Sequence, residues 1–224
     1  MIIIRCWLEQ LFKCAFNHCD FGKNAFNPQI ISLLFDNDKT VSPLFHIQHA
    51  YLTPGSNICG NLLTLVLNHF SIFETLDISL LEVDIPEDYI DILFKILINK
   101  GEIKISYSSR YELPELYDLI IDYIATSKDC SKIVPDIFLD CYDETKFKLS
   151  ERAEKVKKSN DLKSTSYQIS NIYNSNVKFR FYSEEPEEHS NYFSVIRPRT
   201  ECQSTLIGYN FLLLDPIHMN FISF

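Results

Sequence analysis

Glycine is scarce in this sequence, with 5 among 224 residues, and the scarcity excludes several chemistries. Phosphate-cradling loops need clustered glycines to bring backbone N–H groups onto the ligand, and no such cluster occurs. The Gly-x-Ser-x-Gly elbow that presents a nucleophilic serine is also missing. Cysteine comes to an odd total of 7, with no Cys-x-x-Cys pair. Cys6, Cys14, Cys19, Cys59, Cys130, Cys141 and Cys202 lack the paired spacing of a secreted disulfide scaffold, so reduced thiols and an intracellular protein, in nucleus or cytoplasm, are expected. Positive charge is in deficit. The 21 Lys and Arg against 30 Asp and Glu leave a net charge of −9, which repels a phosphate backbone and argues against direct nucleic-acid binding. No apolar run approaches the ~20 residues of a membrane span. The longest, at 58–67 and 90–98, read as core segments, and Arg5, Glu9 and Lys13 interrupt the apolar start before a signal-peptide core forms.

What is present is a globular composition, 46% hydrophobic, ample for a core. The run Ile30-Ile31-Ser32-Leu33-Leu34-Phe35 reads as a strand near 30–35, closed by the turn cluster Asp36-Asn37-Asp38, and Val41 to Ile47 resumes it as a hairpin. Pro54-Gly55-Ser56 then separates a short helical piece, 48–53, from a helix near 57–69 with Ser56 as its cap. A third strand is expected near 80–84, ended by Pro86. Ile90, Leu93, Phe94, Leu97 and Ile98 form one helical stripe, over 87–99, with Gly101 placed to terminate it. A strand at 102–105 follows. Leu116, Leu119, Ile120, Tyr123 and Ile124 form a second stripe behind Pro114, over 114–125, and a last helix is expected at 131–141. The two stripes are expected to bury each other. No internal repeat is evident, and 143–205, rich in Lys, Ser, Asn and Glu, reads as a disordered tail before a short apolar segment, 206–224.

Few residues invite a chemical reading. Cys14, Cys19, His46 and His49 are the residue types of a zinc finger, but Cys19 and His46 lie too far apart along the chain for that spacing. No metal site, catalytic group or cofactor is therefore expected. Asp84, Glu87, Asp88 and Asp91 stand at the start of a helix, where carboxylates complement the dipole, and read as a solvated face. Lys155, Lys157 and Lys158, interspersed with Glu151 and Glu154, read as solvated tail rather than an import signal.

Taken in order, the hairpin, two helices, strand, long helix, short strand and two helices over 27–142 resemble a BTB/POZ domain. The local likenesses are Phe45, Ala50, Leu52 and Ser56 in the first half, and Val83 to Leu93, Gly101-Glu102-Ile103 and Glu115-Leu116 in the second. Gln48 and His49 stand where the family has His and Lys, and Asn99-Lys100 where it has Tyr-Thr. The resemblance implies an α+β fold, a small mixed sheet with a cluster of helices, flanked by an N-terminal extension at 1–26 and the tail at 143–224. It implies a protein-interaction adaptor, not an enzyme. Such an adaptor homodimerises through a face at 48–70 that includes Tyr51, Leu52, Ile58 and Leu62. It recruits substrates to a cullin-based ubiquitin ligase or assembles transcriptional regulators. Ile72-Phe73-Glu74 is the triplet that would meet a cullin. The rival expectations are a heterodimeric subunit resembling Skp1 or elongin C, and a small enzyme of unfamiliar type.

Overall fold

The structure, a computed structural model, describes residues 2–22, 27–35, 38, 40–81, 83, 86–100, 104–109, 113–141, 149–159, 163–184 and 191–196; at Cys141, Glu184, Asn191, Tyr192 and Phe193 the description covers the backbone alone. Helix and strand alternate through the first part of the chain: α1 (Ile2–Leu11), β1 (Ala15–Asp20), α2 (Pro28–Phe35), β2 (Phe45–Leu52), α3 (Cys59–His69), β3 (Phe70–Leu80), α4 (Glu87–Asn99), β4 (Lys104–Ser109), α5 (Pro114–Thr126) and β5 (Asp136–Cys141). Four strands complete it: β6 (Glu154–Ser159), β7 (Ser164–Ser170), β8 (Lys178–Glu184) and β9 (Asn191–Ile196). The nine strands among the described residues join one sheet in the order β1-β2-β3-β4-β5-β9-β8-β7-β6. The first five are parallel and in chain order, and every pairing from β5 onward is antiparallel.

Parallel neighbours need a crossover between them, and here each crossover is a helix. Consecutive helices touch: Arg5 of α1 donates to the Leu34 carbonyl of α2 at 3.2 Å, and α2 packs on α3, α3 on α4 and α4 on α5. Helices that alternated between the two faces could not do this, so all five cover one face of the sheet. The strands accordingly alternate. Phe45, Ile47, Ala50 and Leu52 of β2, Leu76, Ile78 and Leu80 of β3, Ile105 and Tyr107 of β4, and Ile137 and Leu139 of β5 are buried beneath the helices. The residues between them point the other way. The register stacks these inward side chains in rows, Leu76 beside Ile105 beside Ile137, and Ile78 beside Tyr107 beside Leu139.

The mixed α/β class, the helices at 57–69, 87–99 and 114–125 and much of the core agree with expectation. Leu93, Leu97, Leu116 and Ile120 are fully buried, while Phe94 and Leu119 are partly buried against the core. Other elements differ. Residues 28–35 form a helix, because Asn27 accepts the Gln29 N–H at 2.9 Å, Pro28 opens the first turn, and Ile31 and Phe35 fall one turn apart on the buried side. Residues 48–52 continue β2 instead of forming a helix. The third strand occupies 70–80, not 80–84, and 136–141 is a strand whose alternating Ile137 and Leu139 reach the core. The expected strand at 102–105 appears as 104–109; Gly101, Glu102 and Ile103 lie outside the described residues.

The flanks also differ from expectation. Leu8 and Phe12 of the first unit are buried, and the Phe12 ring meets Phe35 at 5.3 Å and Phe45 at 4.9 Å, so 1–26 is no mere extension. The tail expected to be disordered from 143 contributes β6 to β9. Tyr167, Ile169, Phe179, Phe181 and Val195 are buried there, and the Tyr117 and Tyr167 hydroxyls meet at 2.5 Å. Buried Asn171 binds this part to α5: its amide donates to the Ile124 and Ser127 carbonyls, both at 2.8 Å, satisfying groups that a helix C-terminus leaves open. The apolar segment 206–224 and the acidic run 185–188 lie outside the described residues. The repeat that the sequence hides is the helix–strand unit itself, recurring with unequal spacing.

Candidate functional site

The face of the sheet away from the helices is covered by no helix among the described residues. Over β1 to β5 it presents His18 and Asp20, then His46, His49 and Tyr51, then Phe73, Glu74, Thr75, Asp77 and Ser79, then Lys104, Ser106 and Ser108, then Asp136, Phe138 and Asp140. Two large apolar side chains stand out on it. Tyr51 is 45% exposed and Phe73 57%, on adjacent strands whose alternate residues are buried.

Local irregularity explains the exposure of Phe73. The register of β2 on β3 shifts between Ile47 and His49, so that Phe73 and Glu74 together oppose Gln48. A bulge of this kind re-aims side chains. Phe73 stacks on His46 with centroids 6.1 Å apart, Glu74 accepts from the Gln48 amide, and the Glu74 carboxylate lies 3.5 Å from His49 Nε2. His49 Nδ1 is 3.0 Å from Thr75 Oγ1, and its ring stacks on His18 at 4.7 Å. The result is a ladder of rings across β1, β2 and β3.

Charge on this face is one-sided. Burial pushes the Asp77 carboxyl above its ordinary value, against the opposing effects of a hydrogen bond from Ser106 and the nearby His49, and burial raises Asp140 in the same way. Neither is ion-paired among the described residues. On the other side of the sheet, burial raises the Cys19 thiol to about 11 and Cys59 to about 12, which removes both as nucleophiles at neutral pH. No group of three or more His, Cys, Asp or Glu among the described residues is arranged to hold a metal ion. Cys14, Cys19, His46 and His49 are not gathered into a zinc site: His49 instead meets Thr75, Glu74 and His18.

The residues named for a dimer face do not share one exposed surface. Leu52 and Leu62 are wholly buried in the core, Tyr51 lies on the open face, and Ile58 stands at the start of α3. Of the triplet assigned to a cullin, Ile72 is buried while Phe73 and Glu74 are exposed, and all three belong to β3 rather than to the end of a helix. Sequence reasoning missed the open face as a site, although the alternation in Phe70-Ser71-Ile72 and Leu76-Asp77-Ile78-Ser79-Leu80 carried the signal for the strand that centres it.

This arrangement defines a module of mixed α/β structure with helices on one face of its sheet and, among the described residues, none on the other. Residues 1–81 match a family model described as a domain of unknown function (DUF8381), a match that spans α1 to the end of β3 and includes Tyr51, Phe73 and the histidine ladder. No curated protein and no solved structure matches the chain. No helix among the described residues is long and apolar enough to cross a membrane.

Proposed function

We propose that the chain is a protein-interaction module that works through the open face of its sheet. The observation that carries this is the exposure of two large aromatic residues, Tyr51 on β2 and Phe73 on the adjacent β3, on one face of the sheet amid polar residues. Aromatic side chains held rigidly by a sheet are the residue type that dominates the binding energy of protein interfaces. The parallel succession of helix–strand units differs from the hairpin-first order that the BTB/POZ resemblance implies. The proposal therefore stands on the open face and not on the resemblance.

As a BTB/POZ-like adaptor the chain would do this work as a homodimer, serving a cullin-based ligase or transcriptional regulators; as a Skp1-like subunit it would do it as a heterodimer. Exposed Phe73 and Glu74 favour a partner at β3 in either case, and the absence of a disulfide at Cys6, Cys14, Cys19 and Cys59 accords with work inside the cell. The test is affinity purification of the full chain with partners identified by mass spectrometry, beside Phe73→Asp on the open face and Leu33→Asp on the helical layer, where Leu33 is 69% exposed. Partners lost by the first variant and kept by the second support the reading. Partners indifferent to Phe73→Asp remove it.

A further inference from the structure

The two ends of the strand order are built differently. At one end β6 carries Lys155, Lys157 and Lys158, and its register on β7 shifts between Glu154 and Lys157, where Lys155 takes a left-handed φ of 52°. Lysines and a bulge are devices that keep a sheet edge from pairing with another chain. At the other end β1 has neither. It reads Ala15-Phe16-Asn17-His18-Cys19-Asp20, with no lysine, no proline and no shift of register, and among the described residues it pairs with β2 alone. Its outer row of N–H and C=O groups is a template for a further strand.

The helix at this end repeats the contrast. A stack of helix–strand units needs a polar outer face on its terminal unit to stay in solution. α1 is the first helix of the layer; its Leu8 turns into the core, while Ile2, Ile3 and Ile4 are 80%, 85% and 48% exposed.

The edge is complementary to itself. From Ala15 to Asp20 the exposure runs exposed, partly buried, exposed, exposed, partly buried, exposed, a pattern unchanged on reversal. Antiparallel pairing about a two-fold axis between Asn17 and His18 therefore sets Phe16, on the core side, against Cys19 of a second copy. It sets Asn17 against His18, and the one acidic side chain, Asp20, against Ala15, so that no like charges stand opposite. An axis normal to the sheet keeps both helical layers on one side, and α1 then meets its copy as β1 does. Charge singles out the same end. Residues 2–22 hold Arg5 and Lys13 against Glu9 and Asp20, a balance of zero in a chain of net charge −9, so two copies repel least here.

We propose that β1 and α1 form the two-fold interface of a homodimer, in which β1 pairs antiparallel with its copy and one sheet runs through both protomers. The interface does not depend on the open-face reading, although it would join the open faces of two copies into one surface.

Sedimentation velocity of the full chain from about 1 to 100 μM should show a monomer–dimer equilibrium. Asn17→Asp with His18→Asp sets carboxylate against carboxylate at the axis and should weaken self-association by about tenfold or more. Ile3→Asp, at a side chain already in water and so harmless to folding, should weaken it as well. Val156→Asp on β6, at a residue 40% exposed, should leave it unchanged. Hydrogen exchange gives a readout that needs no variant: amides within 15–20 that face away from β2 should gain protection with concentration, in step with the dimer. A dimer indifferent to the β1 and α1 variants, or lost equally in Val156→Asp, overturns this interface. A monomer at every concentration overturns it too. With those amides always protected, the edge belongs to another part of this chain; with them always exchanging, it has no copy to pair with. Each of these results leaves the open-face reading to its own test at Phe73.

Discussion

Lys100 shows how a single residue joins two elements. Its ammonium donates to the Leu67 carbonyl at 3.1 Å and to Phe70 at 2.8 Å, at the end of α3 where helix carbonyls lack partners. Burial lowers the group to about 8 from an ordinary 10.5. Between those values the unfolded chain binds more protons than the folded one, so stability should rise with pH across that window. Urea unfolding of wild type and Lys100→Met across the window checks this: the rise should be absent in the variant. The core makes a second residue-scale prediction. Leu97→Ala and Leu93→Ala should each cost about 2–5 kcal/mol in denaturant unfolding, because both are fully buried. Leu119→Ala should cost less, since Leu119 keeps part of its surface in water. The two helical stripes were legible because a 3.6-residue period over three turns is hard to mistake, as Leu93 with Leu97 and Leu116 with Ile120 show. The row of Asp20, Tyr51 and Asp77 across three strands was not. It depends on which residue of β1 lies beside which of β2 and β3, and register between distant segments leaves no local trace.

At the level of elements, short apolar runs were misread where a local pattern serves two structures equally. Ile30 to Phe35 is nearly uniformly apolar and β-branched at its start, and only Asn27-Pro28 marks it as helix. The helix expected at 131–141 overlooks the alternation of Ile137 and Leu139 with Asp136, Phe138 and Asp140, which is the strand period. Tyr167 with Ile169 and Phe179 with Phe181 alternate too, but within a polar stretch whose composition suggested disorder. Packing between α3 and α4 offers a test of the helical layer. A Cβ on Gly60 would stand 3.0 Å from the Tyr89 hydroxyl and 3.1 Å from its ring, so the glycine permits a close approach. Gly60→Leu should destabilise by about 1–3 kcal/mol in thermal unfolding. In a Tyr89→Ala background, where the obstruction is gone, Gly60→Ala should instead stabilise by about 1 kcal/mol. Asn171→Ala should loosen the antiparallel strands from α5, at a cost of about 1–3 kcal/mol, because the carbonyls of Ile124 and Ser127 would keep only the weak Cys130 thiol as a donor.

Considered whole, the molecule is one sheet from β1 to β6, and no division at residue 142 respects it. A chain truncated after 142 should lose cooperative unfolding by circular dichroism, since β5 would be left as an open edge and Tyr117 would lose its partner Tyr167. Limited proteolysis of the full chain should spare 164–184. A charge at Tyr51 or Ile58 tests the dimer reading: a sedimentation shift to monomer in Tyr51→Asp alone would put self-association on the open face. The strand order carries a further consequence for the order of assembly. After β5 the chain next lays down β6, at the far end of the order, and returns through β7 and β8, so the strand that fits against β5 is β9, the last of the described strands to be made. A nascent chain leaving the ribosome therefore holds five parallel strands with an unprotected margin until residue 196 has emerged. Through that interval the margin is open to any passing strand, and a chaperone that recognises unpaired backbone would find its client here at β5.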